Sequence, residues 1–84
     1  MRLRTDGVTW QEIDGELVLL DLASSAYLTT NRAGTLLAQA LVDGADTGEL
    51  ATALVEEFDI DEERARHDAA AFVDELRRRS LLVE

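Results

Sequence analysis

Residues 8–22 read V-T-W-Q-E-I-D-G-E-L-V-L-L-D-L, and the fold turns on the Asp14-Gly15 pair at their centre. Val8–Ile13 mixes β-branched and aromatic residues with polar ones, and Glu16–Leu22 is richly apolar. Asp and Gly both tolerate positive φ, so an Asp-Gly pair between two such runs predicts a tight β-hairpin. The near-continuous apolar run in the second strand predicts burial on both of its faces. Ala23-Ser24-Ser25 is a small-residue turn, and A-Y-L-T-T (26–30) is a third short strand, giving an antiparallel meander.

After the meander the periodicity changes. Asn31 is a good N-cap, since its side-chain oxygen can accept from exposed backbone N–H groups. Ala33, Leu36, Leu37, Ala40 and Leu41 then recur at helical spacing, and Asp43-Gly44 ends the run. Asp46 or Thr47 caps a second helix with Leu50, Ala51, Leu54, Val55 and Phe58 on its apolar face. Asp61 caps a third, with Glu62 and Glu63 at the positive end of its dipole and Arg77-Arg78-Arg79 at the negative end. Its buried stripe is predicted to be Ala65, Ala69, Phe72, Val73 and Leu76, and Leu81–Val83 can fold back on the core. Strands followed by helices make the class α+β, a winged helix-turn-helix-like layout with a three-stranded antiparallel sheet followed by three helices. At 84 residues, positions 1–84 are expected to form a single domain with one modest core.

Composition excludes much chemistry. There is no cysteine and His67 is the only histidine, so thiol nucleophiles, disulfides and His-rich metal sites are out. No glycine-rich phosphate loop and no G-x-S-x-G elbow occur. No metal or cofactor is expected, and no enzymatic activity. The apolar runs are too short to span a bilayer, which points to a cytoplasmic protein with no membrane partner. The net charge is −10, and residues 43–63 contribute nine acids and no base. Such a field repels phosphate backbones, so a nucleic-acid partner is disfavoured. A DNA-binding winged helix, with Arg64, Arg66 and Arg77–Arg79 on phosphates, is therefore a weaker alternative. An acyl carrier protein would need a serine in an Asp-Ser-Leu setting, and none is present.

A strand meander whose third strand has no partner on its far side offers N–H and C=O groups to an incoming extended peptide. The third helix would form the opposite wall of that groove, with Arg66, Ala70 and Arg77 flanking its core stripe.

In its ordered motifs the chain resembles the PqqD-like proteins, or RiPP recognition elements. V-L-L-D (18–21) and Y-L-T-T-N (27–31) match their strand signatures, and Gly34, Leu36, Leu37 and Leu41 fit their first helix. D-A-A-A-F-V-D-E-L-R-R-R-S-L-L (68–82) fits the closing segment at Asp68, Phe72, Leu76, Leu81 and Leu82. Thr30 departs from the usual leucine, Ala38 from a common tryptophan and Ser80 from the usual glycine. Ala38 would leave core volume for another side chain to fill, and Ser80 argues against a positive-φ helix stop. The Thr30 departure falls in the expected groove.

The resemblance implies non-catalytic capture of the leader region of a ribosomally made precursor peptide, added as a strand beside residues 26–30. The implied peptide-binding residues are Ala26, Tyr27, Leu28, Thr29 and Thr30 on the strand and Arg66, Ala69, Ala70, Val73, Leu76 and Arg77 on the helix. Free-standing, acidic, arginine-rich members of this length resemble those of lasso-peptide pathways. The partners there are a cysteine-protease-like leader peptidase and an ATP-dependent lactam-forming cyclase. The alternative within the family is a peptide chaperone for a radical-SAM enzyme, as in pyrroloquinoline quinone biosynthesis.

Overall fold

The computed structural model describes residues 1–84, and the Asp14-Gly15 hairpin organises its first half. Asp14 (φ 54°) and Gly15 (φ 81°) both adopt left-handed backbone, the requirement of a type I′ turn. That two-residue loop fixes the register of β2 (Val8–Ile13) on β3 (Glu16–Asp21), from Ile13 opposite Glu16 to Val8 opposite Asp21. A third strand, β4 (Tyr27–Thr29), pairs antiparallel with β3, so the sheet order is β2-β3-β4. The expected meander is present, with its last strand ending one residue before Thr30.

Alternation decides which side of this sheet is covered. Leu17 and Leu19 of β3 are buried beneath the helices, whereas Val18 and Leu20 are only half-buried. Burial of β3 on both faces is thus corrected to burial on one. The helices follow the sheet in sequence and share one core with its Leu17/Leu19 face, α1 packing directly on β3, while Tyr27, opposite Leu20 on the other face, is 68% exposed.

The helices begin where capping chemistry predicts. For α1 (Arg32–Asp43), the Asn31 side chain accepts from the Gly34 N–H at 2.9 Å. For α2 (Thr47–Phe58), Asp46 and Glu49 form a reciprocal capping box with bonds of 2.7 and 3.1 Å. For α3 (Glu62–Arg78), Asp61 accepts from the Arg64 N–H at 3.0 Å. Leu37, Ala38, Leu41, Leu50, Ala51, Leu54, Ala65, Ala69, Val73 and Leu76 join Leu17 and Leu19 in one core. Each fully buried leucine contributes roughly 1.5–3 kcal/mol by leaving water. Phe58 was expected on the buried face but is 37% exposed, because α2 ends there and the chain turns away at Asp59 (φ 53°). Ala38 itself is fully buried, and beside it Leu3, Trp10, Glu12, Leu17, Gln39 and Val42 line a surface hollow of about 280 Å³, with Trp10 43% exposed.

The end of α3 runs against expectation. Ser80 takes positive φ (57°) although it is not glycine. The Ser80 N–H donates to the Arg77 carbonyl at 3.1 Å and the Leu81 N–H to the Leu76 carbonyl at 2.8 Å. This bond pair, with Leu76 and Leu81 both buried, is a Schellman stop whose packing outweighs the cost of a Cβ in left-handed backbone. Leu82–Val83 then forms β5, pairing with β1 (Arg2–Leu3) in a second small sheet that the sequence pattern does not announce.

Candidate functional site

The hydrogen bonds between β3 and β4 settle which backbone groups of β4 are free. The Thr30 N–H donates to the Leu17 carbonyl at 2.8 Å, and the Asp21 N–H to the Ala26 carbonyl at 2.9 Å. Antiparallel pairs alternate between bonded and non-bonded, so the Leu28–Leu19 pair midway between these two is a bonded one. The N–H and C=O groups of Tyr27 and Thr29 therefore point away from β3, into the open edge.

Across that edge stands α3. At about 100° per residue, Asp68, Phe72, Glu75 and Arg79 fall within roughly 60° of one another on one flank of the core stripe. Phe72 and Glu75 are half-buried, and Phe72 Cε1 lies 3.2 Å from where a Cβ on Gly34 would sit. That near-contact places Phe72 over the exit of β4, where Gly34 allows close approach. The Arg79 Nη1 group reaches across and donates to the Tyr27 carbonyl at 3.4 Å. At the Tyr27 end, away from Phe72, lies a hollow of about 210 Å³ lined by Leu19, Ala26, Tyr27, Leu28, Arg79 and Leu81, with Asp21 and Ser24 at its polar side. The site is a backbone edge with Phe72 beside its Thr30 end and, at its Tyr27 end, a largely apolar hollow closed by Arg79 and Leu81 from the turn after α3.

Its charges are held in place. Glu75 accepts from Arg78 and, at 2.7 Å, from the Arg79 Nε group. The Arg78 bond and then the Arg79 bond hold the Glu75 carboxyl below its ordinary value. At the same Tyr27 end, Arg4 donates to Asp21 at 2.8 Å. Partial burial works to raise the Asp21 carboxyl, but the Ala23 N–H and Arg4 outweigh it and the group titrates low.

The residues expected at the site divide sharply. Tyr27, Leu28 and Thr29 form β4, and Ala26 lines the hollow beside them. Thr30 is buried, 7% exposed, with its hydroxyl on the Thr35 hydroxyl at 2.8 Å and 3.3 Å from both the N–H and the carbonyl oxygen of Leu17. Its side chain is turned into the protein, away from the edge. Ala69, Val73 and Leu76 are buried core residues with at most 3% exposure. Arg66, Ala70 and Arg77 lie about 170° round α3 from the Phe72–Arg79 flank. Accordingly, Arg66 pairs with Glu62 and lines a trough with α2, while Arg77 donates to Glu84 at 2.7 Å beyond β5. Sequence reasoning missed Phe72 and Arg79 as groove residues. Phe72 was assigned wholly to the core, and Arg79 to the helix dipole.

The α2 trough is the largest hollow, about 890 Å³, but it is lined mainly by polar residues and carries no free strand edge. No three His, Asp or Glu side chains stand together as a metal site would require, and no helix is long and apolar enough to cross a membrane.

Residues 16–82 match the family model for coenzyme PQQ synthesis protein D (PqqD). The chain belongs to the PqqD family. In three dimensions this PqqD-family chain is similar to TbiB1 in complex with the TbiA(beta) leader peptide. The TM-score is 0.87 at 28% identity, over 98% of this chain and 94% of that one. It is likewise similar to lasso peptide synthetase B1 complexed with the leader peptide, with a TM-score of 0.83 at 30% identity over 99% and 96% of the two chains. No curated protein matches it in sequence. The α+β, winged helix-turn-helix-like architecture read from the sequence is thus the architecture of this family.

Proposed function

We propose that the chain, acting as one unit, binds the leader region of a ribosomally made precursor peptide without transforming it. The leader would add as a fourth strand beside β4, exchanging backbone hydrogen bonds with Tyr27 and Thr29, while its side chains pack on Phe72 at one end and fill the hollow beside Leu28 and Leu81 at the other. One observation carries the reading: the backbone N–H and C=O groups of Tyr27 and Thr29 face outward along an edge that no strand of the chain covers, with Phe72 and Arg79 beside it. Two structures of the same fold, each bound to a leader peptide, support it. The wall proposed is the Phe72–Arg79 flank, in place of Arg66, Ala70 and Arg77, which stand on the far side of α3.

In this reading the protein works in the cytoplasm, in lasso-peptide biosynthesis. It delivers the precursor to a cysteine-protease-like leader peptidase and an ATP-dependent lactam-forming cyclase. The alternative is delivery of the peptide through the same edge to a radical-SAM enzyme, as the resemblance implies; the family description, coenzyme PQQ synthesis protein D, supports a role in cofactor synthesis. Amide hydrogen exchange with the TbiA(beta) leader peptide, and with the leader encoded nearest this gene, tests the binding step. Protection should appear at Tyr27 and Thr29. Saturable binding that leaves both amides unprotected would remove the β4 edge from consideration.

A further inference from the structure

Arg79 makes a contact that the groove does not need in order to be a groove. Its guanidinium is aimed by two constraints. The Schellman turn at Ser80 fixes the end of α3, and the Nε bond to Glu75 at 2.7 Å fixes the side chain. What remains is the Nη edge, which points at β4 and makes only a long 3.4 Å bond to the Tyr27 carbonyl. A bond of that length is near the limit of the interaction and is readily exchanged.

The neighbouring arginines are differently engaged. Arg77 donates to Glu84 and Asp74, outside the groove. Arg78 donates to Glu75 and is otherwise largely exposed. Glu75 is shared by Arg78 and Arg79, so one carboxylate faces two guanidiniums, and it engages Arg79 through Nε, leaving the Nη groups for the groove.

A strand pairing with β4 puts its own N–H on the Tyr27 carbonyl, because Tyr27 is an outward-facing residue of that edge. The incoming bond displaces the Arg79 contact and leaves the Nη donors lying along the new strand. A guanidinium keeps its charge at any physiological pH, and its best acceptor is a carboxylate met by two parallel N–H groups.

We propose that Arg79 is a specificity-determining residue of the groove, selecting an extended peptide that carries Asp or Glu next to the residue paired with Tyr27. The assignment rests on the strand-addition reading above. When the groove is empty, Arg79 covers the edge carbonyl; when it is filled, the same group reads an acidic side chain.

A random peptide library displayed on phage, selected in parallel against the wild-type chain and Arg79→Gln, tests it. Wild type should enrich peptides with Asp or Glu at one fixed position, and Arg79→Gln should lose that preference. In the best wild-type binder, changing the acid to its amide should weaken binding about tenfold or more, as expected for a charged hydrogen bond. The same change should do little to binding by Arg79→Gln, and Arg79→Lys should restore only part of the preference. Enrichment of groove binders with no acidic position, or a preference that survives Arg79→Gln, overturns the assignment while leaving strand addition intact. Amide exchange on the selected complexes separates the two ideas. Binders that leave the Tyr27 and Thr29 amides unprotected overturn strand addition, and the Arg79 assignment with it.

Discussion

The buried hydroxyls of Thr30 and Thr35 lie 2.8 Å apart and join the end of β4 to the first turn of α1. Thr30 Oγ1 is also 3.3 Å from the Leu17 N–H, so one side chain ties strand, strand and helix together. Thr30→Val keeps the shape but strands the Leu17 N–H and the Thr35 hydroxyl. We expect a loss of about 1–3 kcal/mol in urea unfolding. Adding Thr35→Val should cost less than the sum of the two single changes, because one unsatisfied partner disappears with it. A neutral Thr30→Val would mean that the hydroxyl cluster does not stabilise this junction.

Ser80 carries a Cβ in left-handed backbone (φ 57°). Ser80→Gly relieves it and should stabilise the chain by about 1 kcal/mol, read as a higher melting temperature. No change in melting would show that the Schellman stop is unstrained.

Proline discriminates the two sides of β4. At Thr29 the N–H faces the open edge, so Thr29→Pro removes a docking donor and no β3–β4 hydrogen bond. Far-UV circular dichroism should stay near wild type while leader binding falls at least about tenfold, one lost hydrogen bond plus an obstructed edge. At Leu28 the N–H faces Leu19, and Leu28→Pro should cost about 3 kcal/mol or more. Equal effects of the two substitutions on folding would contradict the alternation assigned to this strand.

Acid should loosen the C-terminal end of α3. Glu75, bonded by Arg78 and Arg79, and Glu84, bonded by Arg77, both titrate below their ordinary value near 4.5. A carboxyl depressed in the folded state adds stability above its unfolded value and loses it as pH falls through the folded one. Melting temperature should therefore decline as pH drops below about 4.5, and Glu75→Gln should flatten that decline. An unchanged acid limb in Glu75→Gln would assign the loss to other carboxylates.

Much of the fold was written in local signals. Asp14-Gly15, Asn31, Asp46 and Asp61 each carry their own chemistry, and the hairpin and helix starts fall where those residues stand. The groove was only partly legible, for a geometrical reason. Periodicity fixes the core stripe of α3, but that stripe has two flanks, and nothing in spacing says which one meets the sheet. Arg66, Ala70 and Arg77 were read on one flank, while Phe72 and Arg79 stand beside β4 on the other. The half-buried Phe72 was the available signal, since an aromatic at the margin of a core stripe marks the side on which something packs. The pairing of β1 with β5 involves two residues from each strand, too few to impress an alternation on the sequence. At Ser80 tertiary packing overruled residue preference.

The brevity of β4 sets how a bound peptide would leave. Three residues expose two outward-facing positions, Tyr27 and Thr29, hence at most four backbone hydrogen bonds to an added strand. At roughly 0.5–1.5 kcal/mol each, these amount to about 2–6 kcal/mol. Micromolar affinity needs about 8 kcal/mol. The edge alone would align a peptide without retaining it, so residence time must come from side chains seated between β4 and α3. Once those few side-chain anchors were pulled free, the edge itself would offer little further resistance.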